Sequence, residues 1–173
     1  MRPELLNPLF AEITALKGVG PGLAKPLERL GLARAVDVAF HLPTGWIDRV
    51  PRDELDVGDA GRVIAIELTP VTYRMGGSAR APTRVQAVDA KGNYVTLVYF
   101  GGNSGWVKKL LPLGEPRWVS GRLESYGQEL QIVHPDHVAE DSADLMGHLV
   151  EPVYSLAEGL TQPKVANLTH QAL

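Results

Sequence analysis

The sequence of 173 residues contains no cysteine. This absence excludes a disulfide framework and any metal site built on thiolates, and it fits a reducing compartment. No stretch approaches the roughly 20 consecutive apolar residues that a membrane-spanning helix needs. The N-terminal residues also lack the apolar core of a secretory signal. Together these absences predict a cytoplasmic protein that does not enter a membrane.

Motifs for nucleotide hydrolysis and for hydrolytic catalysis are missing as well. The phosphate-binding loop G-x-x-x-x-G-K-[ST] does not occur, and neither do H-E-x-x-H and G-x-S-x-G. We therefore predict no catalytic residues, no enzyme activity and no bound cofactor for this chain by itself. One cluster could be imagined as a metal site, but its internal proline and the strand end beneath it favour surface or capping histidines, so no metal is predicted. The cluster is His134-Pro135-Asp136-His137, with Glu140 and Asp141 nearby.

The net charge of −3 argues against a dedicated nucleic-acid binder. The charge is unevenly distributed, however. Residues 60–140 carry nine basic and seven acidic side chains, whereas residues 141–173 carry one basic and four acidic ones. The middle of the chain is thus its only basic part. It is too weakly charged to bind DNA tightly by counterion release alone.

A glycine turn followed by a helical pattern occupies residues 16–32. Gly18 and Gly20 can adopt positive φ, and Pro21 is tolerated in the first turn of a helix. The turn resembles the hairpin of helix-hairpin-helix modules, in which backbone N–H groups face a DNA phosphate. Gly18 and Gly20 are therefore candidates for a phosphate contact. An equally weighted alternative is a turn that only packs helices.

A second helix is predicted near residues 33–41, and a proline-punctuated connector follows it at residues 41–49. Within the connector, Asp48 and Arg49 are expected to form a local ion pair. Such a pair contributes little to stability if it is exposed.

Five strand candidates follow from residue 57, with one short helix between the third and the fourth. Three strands, a helix and two strands is the order of an OB-fold barrel. We predict a mainly β fold: a five-stranded OB-fold barrel, preceded by a small helix-hairpin-helix-like segment and followed by a linker and the start of a helix. The predicted strands are residues 62–69, 83–89, 94–100, 117–123 and 129–133, and the helix is residues 104–111.

This order predicts three segments: a helical segment at 1–56, the barrel domain at 57–138, and a linker with a first helix at 139–173. The last helix is expected to lack a packing partner and to begin a part that continues in a longer protein.

Small barrels of this type bind oligonucleotides on strands two and three and with the loops that join strands one to two and four to five. Basic side chains there can follow phosphates, and aromatic rings can stack on bases. The candidate DNA-binding residues in and beside these regions are Arg74, Arg80, Arg84, Tyr99, Phe100, Lys108, Lys109, Arg122 and Tyr126.

Two adjacent aromatic residues, Tyr99 and Phe100, end the third predicted strand. Successive side chains of a strand point to opposite faces, so the two rings cannot share one role. We predict that Phe100 is exposed and stacks on a base, and that Tyr99 is partly packed into the barrel. The alternative, which the strand alone favours, is two packing residues followed by a turn.

Five motifs in this order resemble the N-terminal portion of RecG-type ATP-dependent DNA helicases. They are LKGVGPGLAKPLERLGL, HLPTGWIDR, the barrel with its aromatic pair, QIVHP, and PVYSLAEGLTQ before a final helix. The resemblance implies a wedge domain that binds branched DNA, such as replication forks and Holliday junctions, during repair and recombination. It places the wedge aromatics of the family on Tyr99 and Phe100. A further aromatic of the family is not matched, because Gly101-Gly102-Asn103 stands in its place.

In that family a separate C-terminal motor hydrolyses ATP, so the resemblance implies that ATP and Mg²⁺ are bound only there. The implied partners are branched DNA and the motor domains of the same polypeptide, in a monomer. Two other functions remain open. One is a protein-interaction module that docks a motor or another protein, which the acidic balance favours. The other is a free-standing binder of single strands.

Overall fold

The computed structural model describes residues 3–75, 78, 81–101 and 104–173. No helix within these ranges is long and apolar enough to cross a membrane. The chain folds into two units, Met1–Trp46 with Pro152–Leu173 as unit 1 and Ile47–Glu151 as unit 2. The three segments 1–56, 57–138 and 139–173 do not coincide with these units, and the three-part division stays a prediction.

The helices are α1 (Pro21–Arg29), α2 (Ala35–Ala39), α3 (Ser104–Leu110), α4 (Ser142–Met146) and α5 (Gln162–Ala172), and 3-10 helices cover Glu4–Phe10, Ile13–Ala15 and Val57–Asp59. The strands are β1 (Gly45–Arg52), β2 (Val63–Met75), β3 (Thr83–Val88), β4 (Tyr94–Tyr99), β5 (Arg117–Tyr126), β6 (Glu129–Val133), β7 (His137–Ala139) and β8 (Val150–Val153).

Strands β2 to β6 close into a barrel in unit 2. The pairs β2–β3, β3–β4, β5–β6 and β2–β5 are antiparallel, and β4–β6 is parallel. This is the strand order of an OB-fold, and it confirms the predicted mainly β class with a five-stranded barrel. Apolar side chains from all five strands fill the interior, and Val107 and Leu111 belong to the same buried cluster. The barrel therefore holds the ends of β4 and β6 on a rigid support.

Two barrel strands are longer than predicted. Strand β2 does not end before Pro70 but continues to Met75, with a register shift between Pro70 and Thr72. Proline has no backbone N–H to donate to a neighbouring strand. A bulge tolerates it because the hydrogen-bond ladder is interrupted there. Strand β5 continues to Tyr126, and the hairpin to β6 turns at Gly127, which has φ 66°. Arg74 and Tyr126, which were expected in the loops joining strands one to two and four to five, thus lie on strands.

Strands β1, β7 and β8 are not among the predicted strands. The connector at residues 41–49 is largely strand β1, which pairs in parallel with β2. Strand β7 pairs with β5, and β8 is the neighbour of β1 in the sheet. These strands are short or lack apolar alternation, and in β1 the one fully buried position is Arg49.

Unit 1 corrects two expectations. The last helix, α5, does have a packing partner, because Val165 and Leu168 are buried in one apolar cluster with Leu27 and Val38. The glycine turn before α1 also differs from the prediction. Gly18 has φ 90°, whereas Gly20 caps the helix with an extended φ of −91°. Only one of the two glycines therefore needs the left-handed conformation.

Gly121→Ala is expected to destabilise the barrel by about 1–3 kcal/mol, because overpacking a core forces its neighbours to shift. A Cβ at Gly121 would lie well inside contact distance of Ile132 Cγ2, and 3.3 Å from Pro135 Cα. Urea unfolding followed by circular dichroism measures the loss. Gly45→Ala is the matched control, since Gly45 is also in a strand and no atom lies within 4 Å of its Cβ position. Equal stability of both variants would contradict close packing at Gly121.

Candidate nucleic-acid interface

The end of β4 presents its two aromatic rings in different ways. Phe100 directly follows the strand and is 55% exposed, whereas Tyr99 is only 6% exposed and packs in the barrel core. The predicted orientation of the pair is thus confirmed. The ring of Tyr99 is thus part of the barrel core, and its role in DNA binding stays a prediction. Burial raises the pKa of the Tyr99 hydroxyl, which has no hydrogen-bond partner among the described residues.

Two more rings surround this pair. Trp106, at 51% exposure, meets Tyr99 edge-on with ring centroids 5.9 Å apart. His134 lies 5.4 Å from Phe100 and 6.1 Å from Tyr99, centroid to centroid. Together with Thr83 and other neighbours they line a cavity of about 140 Å³, which we call the aromatic pocket. Its lining is Thr83, Tyr99, Phe100, Trp106, Val107, His134 and Pro135.

Neither Trp106 nor His134 was predicted as part of this site. The sequence predicts His134 as a surface or capping histidine rather than a metal ligand. The sequence does contain a signal for His134. The third and fifth strands of an OB-fold pair in parallel, so the residues that follow them, Phe100 and His134, lie at the same edge of the barrel. The position of Trp106 depends on how α3 packs, and no sequence pattern reports that.

A second concavity, which we call the strand groove, lies on the outer face of the barrel. Its volume is about 500 Å³. Gln86, Thr96 and Gln131 form a row across β3, β4 and β6, because each is paired with the next in register. The groove is lined by Arg74, Arg84, Gln86, Tyr94, Val95, Thr96, Tyr126, Gln128, Glu129, Leu130 and Gln131. It combines two arginines, aromatic rings, neutral amides and the carboxylate of Glu129.

Arg74 and Arg84 face each other across β2 and β3. Both residues are exposed, and neither forms a salt bridge with another residue that the structure describes. Like charges directly opposite one another destabilise a sheet. The pair therefore forms a local concentration of positive charge that the fold itself does not neutralise.

The buried carboxylate of Asp89 fixes the turn between β3 and β4. Asp89 accepts hydrogen bonds from the backbone N–H groups of Leu55, Lys91 and Asn93 and from the side chain of Asn93. Burial alone would raise the pKa of Asp89, but these hydrogen bonds hold it below its usual range. The carboxylate thus stays charged and holds the turn that precedes Tyr94.

The remaining predicted residues are distributed as follows. Tyr126 is 67% exposed and lines the strand groove. Arg122 lines neither cavity and donates a hydrogen bond to the Gly61 carbonyl. Lys108 and Lys109 lie in the last turn of α3, and the Lys108 ammonium is 5.6 Å from the Tyr73 ring centre. Arg80 is outside the described residues. Gly18 and Gly20 belong to unit 1.

The histidine and carboxylate cluster around His134–His137 does not form a metal site among the described residues. Its Asp136 instead binds the side chain of Arg49. Arg49 is 2% exposed and its ion pairs are with Asp136 and Glu151, so the expected local ion pair with Asp48 is wrong. Its guanidinium donates to Asp136 at 2.6 Å, to Glu151 at 2.8 Å, to Ser120 Oγ at 3.0 Å and to the His148 carbonyl at 2.8 Å. We call this set the Arg49 clamp. No three histidine, aspartate or glutamate side chains in the described ranges are arranged to hold a metal ion.

Comparison with known proteins gives a consistent result, although no family model matches the chain. The chain is 29% identical over 157 residues to the ATP-dependent DNA helicase RecG of Acidithiobacillus ferridurans, which covers 89% of this chain and 22% of that protein. It is 27% identical over 175 residues to RecG of Haemophilus influenzae, covering 100% of this chain and 25% of that protein. The chain thus spans about a quarter of the length of these relatives.

A solved structure of RecG bound to a three-way DNA junction matches with a TM-score of 0.74 at 22% identity. The match covers 94% of this chain and 22% of that chain, and it shows that the two share a fold. These comparisons confirm the resemblance to RecG-type helicases that the order of motifs predicts.

Proposed function

We propose that this chain is the DNA-binding wedge region of a RecG-like ATP-dependent helicase, and that it binds branched DNA and separates its strands. The observation that carries the proposal is the exposed ring of Phe100 at the rim of a rigid barrel, with Trp106 and His134 beside it. Aromatic faces stack on bases of any sequence, and each stacked base contributes about 1–3 kcal/mol. A ring fixed at a rim can therefore cover the base that is exposed where a duplex opens.

The strand groove extends this contact in the proposal. Arg74 and Arg84 would bind phosphates, and Tyr126 would stack on a base of the strand that leaves the junction. Lys108, Lys109, Arg122 and the unplaced Arg80 would add weaker phosphate contacts. In unit 1, the backbone at Gly18 and Gly20 remains a candidate for a further phosphate contact.

The ATPase motor, with its ATP and Mg²⁺, would belong to parts of a longer polypeptide that this sequence does not include. Two facts support this division. The sequence has no phosphate-binding loop, and the chain matches only about a quarter of relatives named as ATP-dependent helicases. In this proposal the chain acts within a monomer and contributes binding and strand separation rather than catalysis.

Phe100→Ala is expected to reduce the affinity for a forked DNA by about 1–3 kcal/mol, the value of one stacked base. Affinity for a linear duplex of the same sequence should hardly change, because no base is exposed there. Fluorescence anisotropy at low salt measures both affinities. Phe40→Ala is the matched control, since Phe40 is 77% exposed and lies in unit 1. If the unmodified chain bound both DNAs equally, the wedge function would be refuted.

A protein-docking module is the second candidate. Glu124 and Glu129 beside the strand groove, together with the net charge of −3, favour it. The same variant separates the two functions, because Phe100→Ala with unchanged fork binding and intact folding supports docking. Salt-dependent binding to unbranched single strands, as strong as binding to forks, would instead support a free-standing single-strand binder.

A further inference from the structure

The imidazole of His134 holds the backbone to which the Phe100 ring is attached. Strands β4 and β6 run in parallel, and Val98 pairs in register with Val133. Phe100 is two residues after Val98, and His134 is one residue after Val133. Because the strands are parallel, both residues lie at the same edge of the barrel. The backbone N–H of His134 donates to the Val98 carbonyl at 2.8 Å. This bond extends the β4–β6 ladder by one hydrogen bond.

Phe100 lies just beyond this ladder. Strand β4 ends at Tyr99, and Gly101 with φ 104° turns the chain away immediately afterwards. The Phe100 N–H instead donates to Nε2 of His134 at 3.3 Å. A backbone N–H can only donate, so Nε2 is the acceptor and the ring proton is on Nδ1. The two rings are tilted by 38° at 5.4 Å. One imidazole thus fixes both the backbone and the ring of Phe100.

The backbone of His134 is itself unusual. Its φ is 47°, and within the described ranges it is the one residue other than glycine with a positive φ. Side chains with a Cβ adopt this region at a cost, whereas glycine adopts it freely. Proline follows directly and restricts the conformation further. The turn by itself would therefore favour glycine, and a histidine needs another reason, since strained residues concentrate at functional sites.

We infer that His134 is a positioning residue for the proposed stacking platform: its Nε2 and its ring hold Phe100 in the orientation that meets a base, and it acts through Phe100 rather than by touching DNA. This inference rests on the proposed wedge function, but the contact that it assigns exists in the free protein. It can therefore be tested both without DNA and with it.

The first test measures amide hydrogen exchange of Phe100 by NMR in the free protein. His134→Gly relieves the φ cost and removes the acceptor, so the fold should be at least as stable as in His134→Ala. The Phe100 amide should nevertheless exchange about tenfold faster in both variants, which is what loss of one hydrogen bond allows. Glutamine places an acceptor oxygen at about the distance of Nε2 from the backbone, so His134→Gln should restore part of the protection that His134→Ala loses. Unchanged exchange in His134→Gly would overturn the inference whatever the DNA results are.

The second test uses forked DNA with 2-aminopurine at the first unpaired position, whose fluorescence reports stacking. Stacking on Phe100 quenches this fluorescence, so His134→Gly should lose part of the quenching and part of the fork affinity that Phe100→Ala loses. The double variant should bind no more weakly than Phe100→Ala alone, because both changes act on one contact. Additive losses would mean that His134 touches DNA itself and would contradict positioning. If Phe100→Ala changed nothing, the proposed function would fail instead, while the exchange experiment would still decide the contact.

Discussion

Arg49→Met is expected to lower the free energy of unfolding by about 3 kcal/mol, the lower end of what breaking a buried ion pair costs. Methionine has a similar length but no charge, so Asp136 and Glu151 would lose their cation. The lower end applies because the two carboxylates are 36% and 26% exposed, and water can solvate them in part. The Ser120 hydroxyl and the His148 carbonyl would lose their donor as well.

Urea unfolding followed by circular dichroism measures this effect, and Arg62→Met is the matched control. The Arg62 side chain is 60% exposed and lies 3.7 Å from Asp59, so its replacement should change stability by less than about 1 kcal/mol. Arg49→Lys should recover only part of the loss, since an ammonium cannot reproduce the planar fork that reaches several acceptors. Equal effects at positions 49 and 62 would show that burial of the Arg49 clamp has no energetic consequence.

A compensating variant tests the mechanism of this loss. If the cost of Arg49→Met comes from carboxylates left without a partner, then adding Asp136→Asn and Glu151→Gln should recover stability relative to the single variant. A further decrease in stability on adding these changes would instead indicate that Asp136 and Glu151 have other stabilising contacts, such as the 3.4 Å approach of His137 to Glu151.

The barrel could be predicted because its strands follow simple periodic rules. In β4, for example, Val95, Leu97 and Tyr99 are buried at every second position. Strand β1 could not be predicted in the same way, because the side chain that it buries is Arg49. Its carboxylate partners lie 87 and 102 residues further along the chain, and no local pattern identifies them.

The candidate site was predictable to a similar degree. Alternation was sufficient to place Phe100 outside and Tyr99 inside. The contact between Phe100 and His134 depends on the parallel pairing of β4 with β6, a property of topology rather than of either segment. The face-to-face arrangement of Arg74 and Arg84 was missed because β2 was expected to end before Pro70, which left Arg74 in a loop.

Charge reversal at Arg84 is expected to weaken DNA binding while it strengthens the fold. Arg84→Glu converts the like-charged pair with Arg74 into an opposite pair across β2 and β3, which is worth about 0.2–1 kcal/mol of stability. A decrease in affinity in a protein of equal or higher stability cannot be attributed to unfolding. This separation of binding from stability makes the pair a sharp test of the strand groove.

The combined variant Arg74→Glu/Arg84→Glu should bind forked DNA on the order of 100-fold more weakly at low salt, because two cations that bind phosphates are removed and two repulsions are added. The slope of log affinity against log salt should flatten by about one for each phosphate that is no longer bound. Lys25→Glu/Lys164→Glu is the control for net charge, since it also changes the charge by two reversals and both lysines are exposed in unit 1. Anisotropy titrations across a salt series measure affinity and slope together. If the slope stayed the same while affinity fell, the arginines would act through the general field of the protein, and the groove would not be a path for the DNA strand.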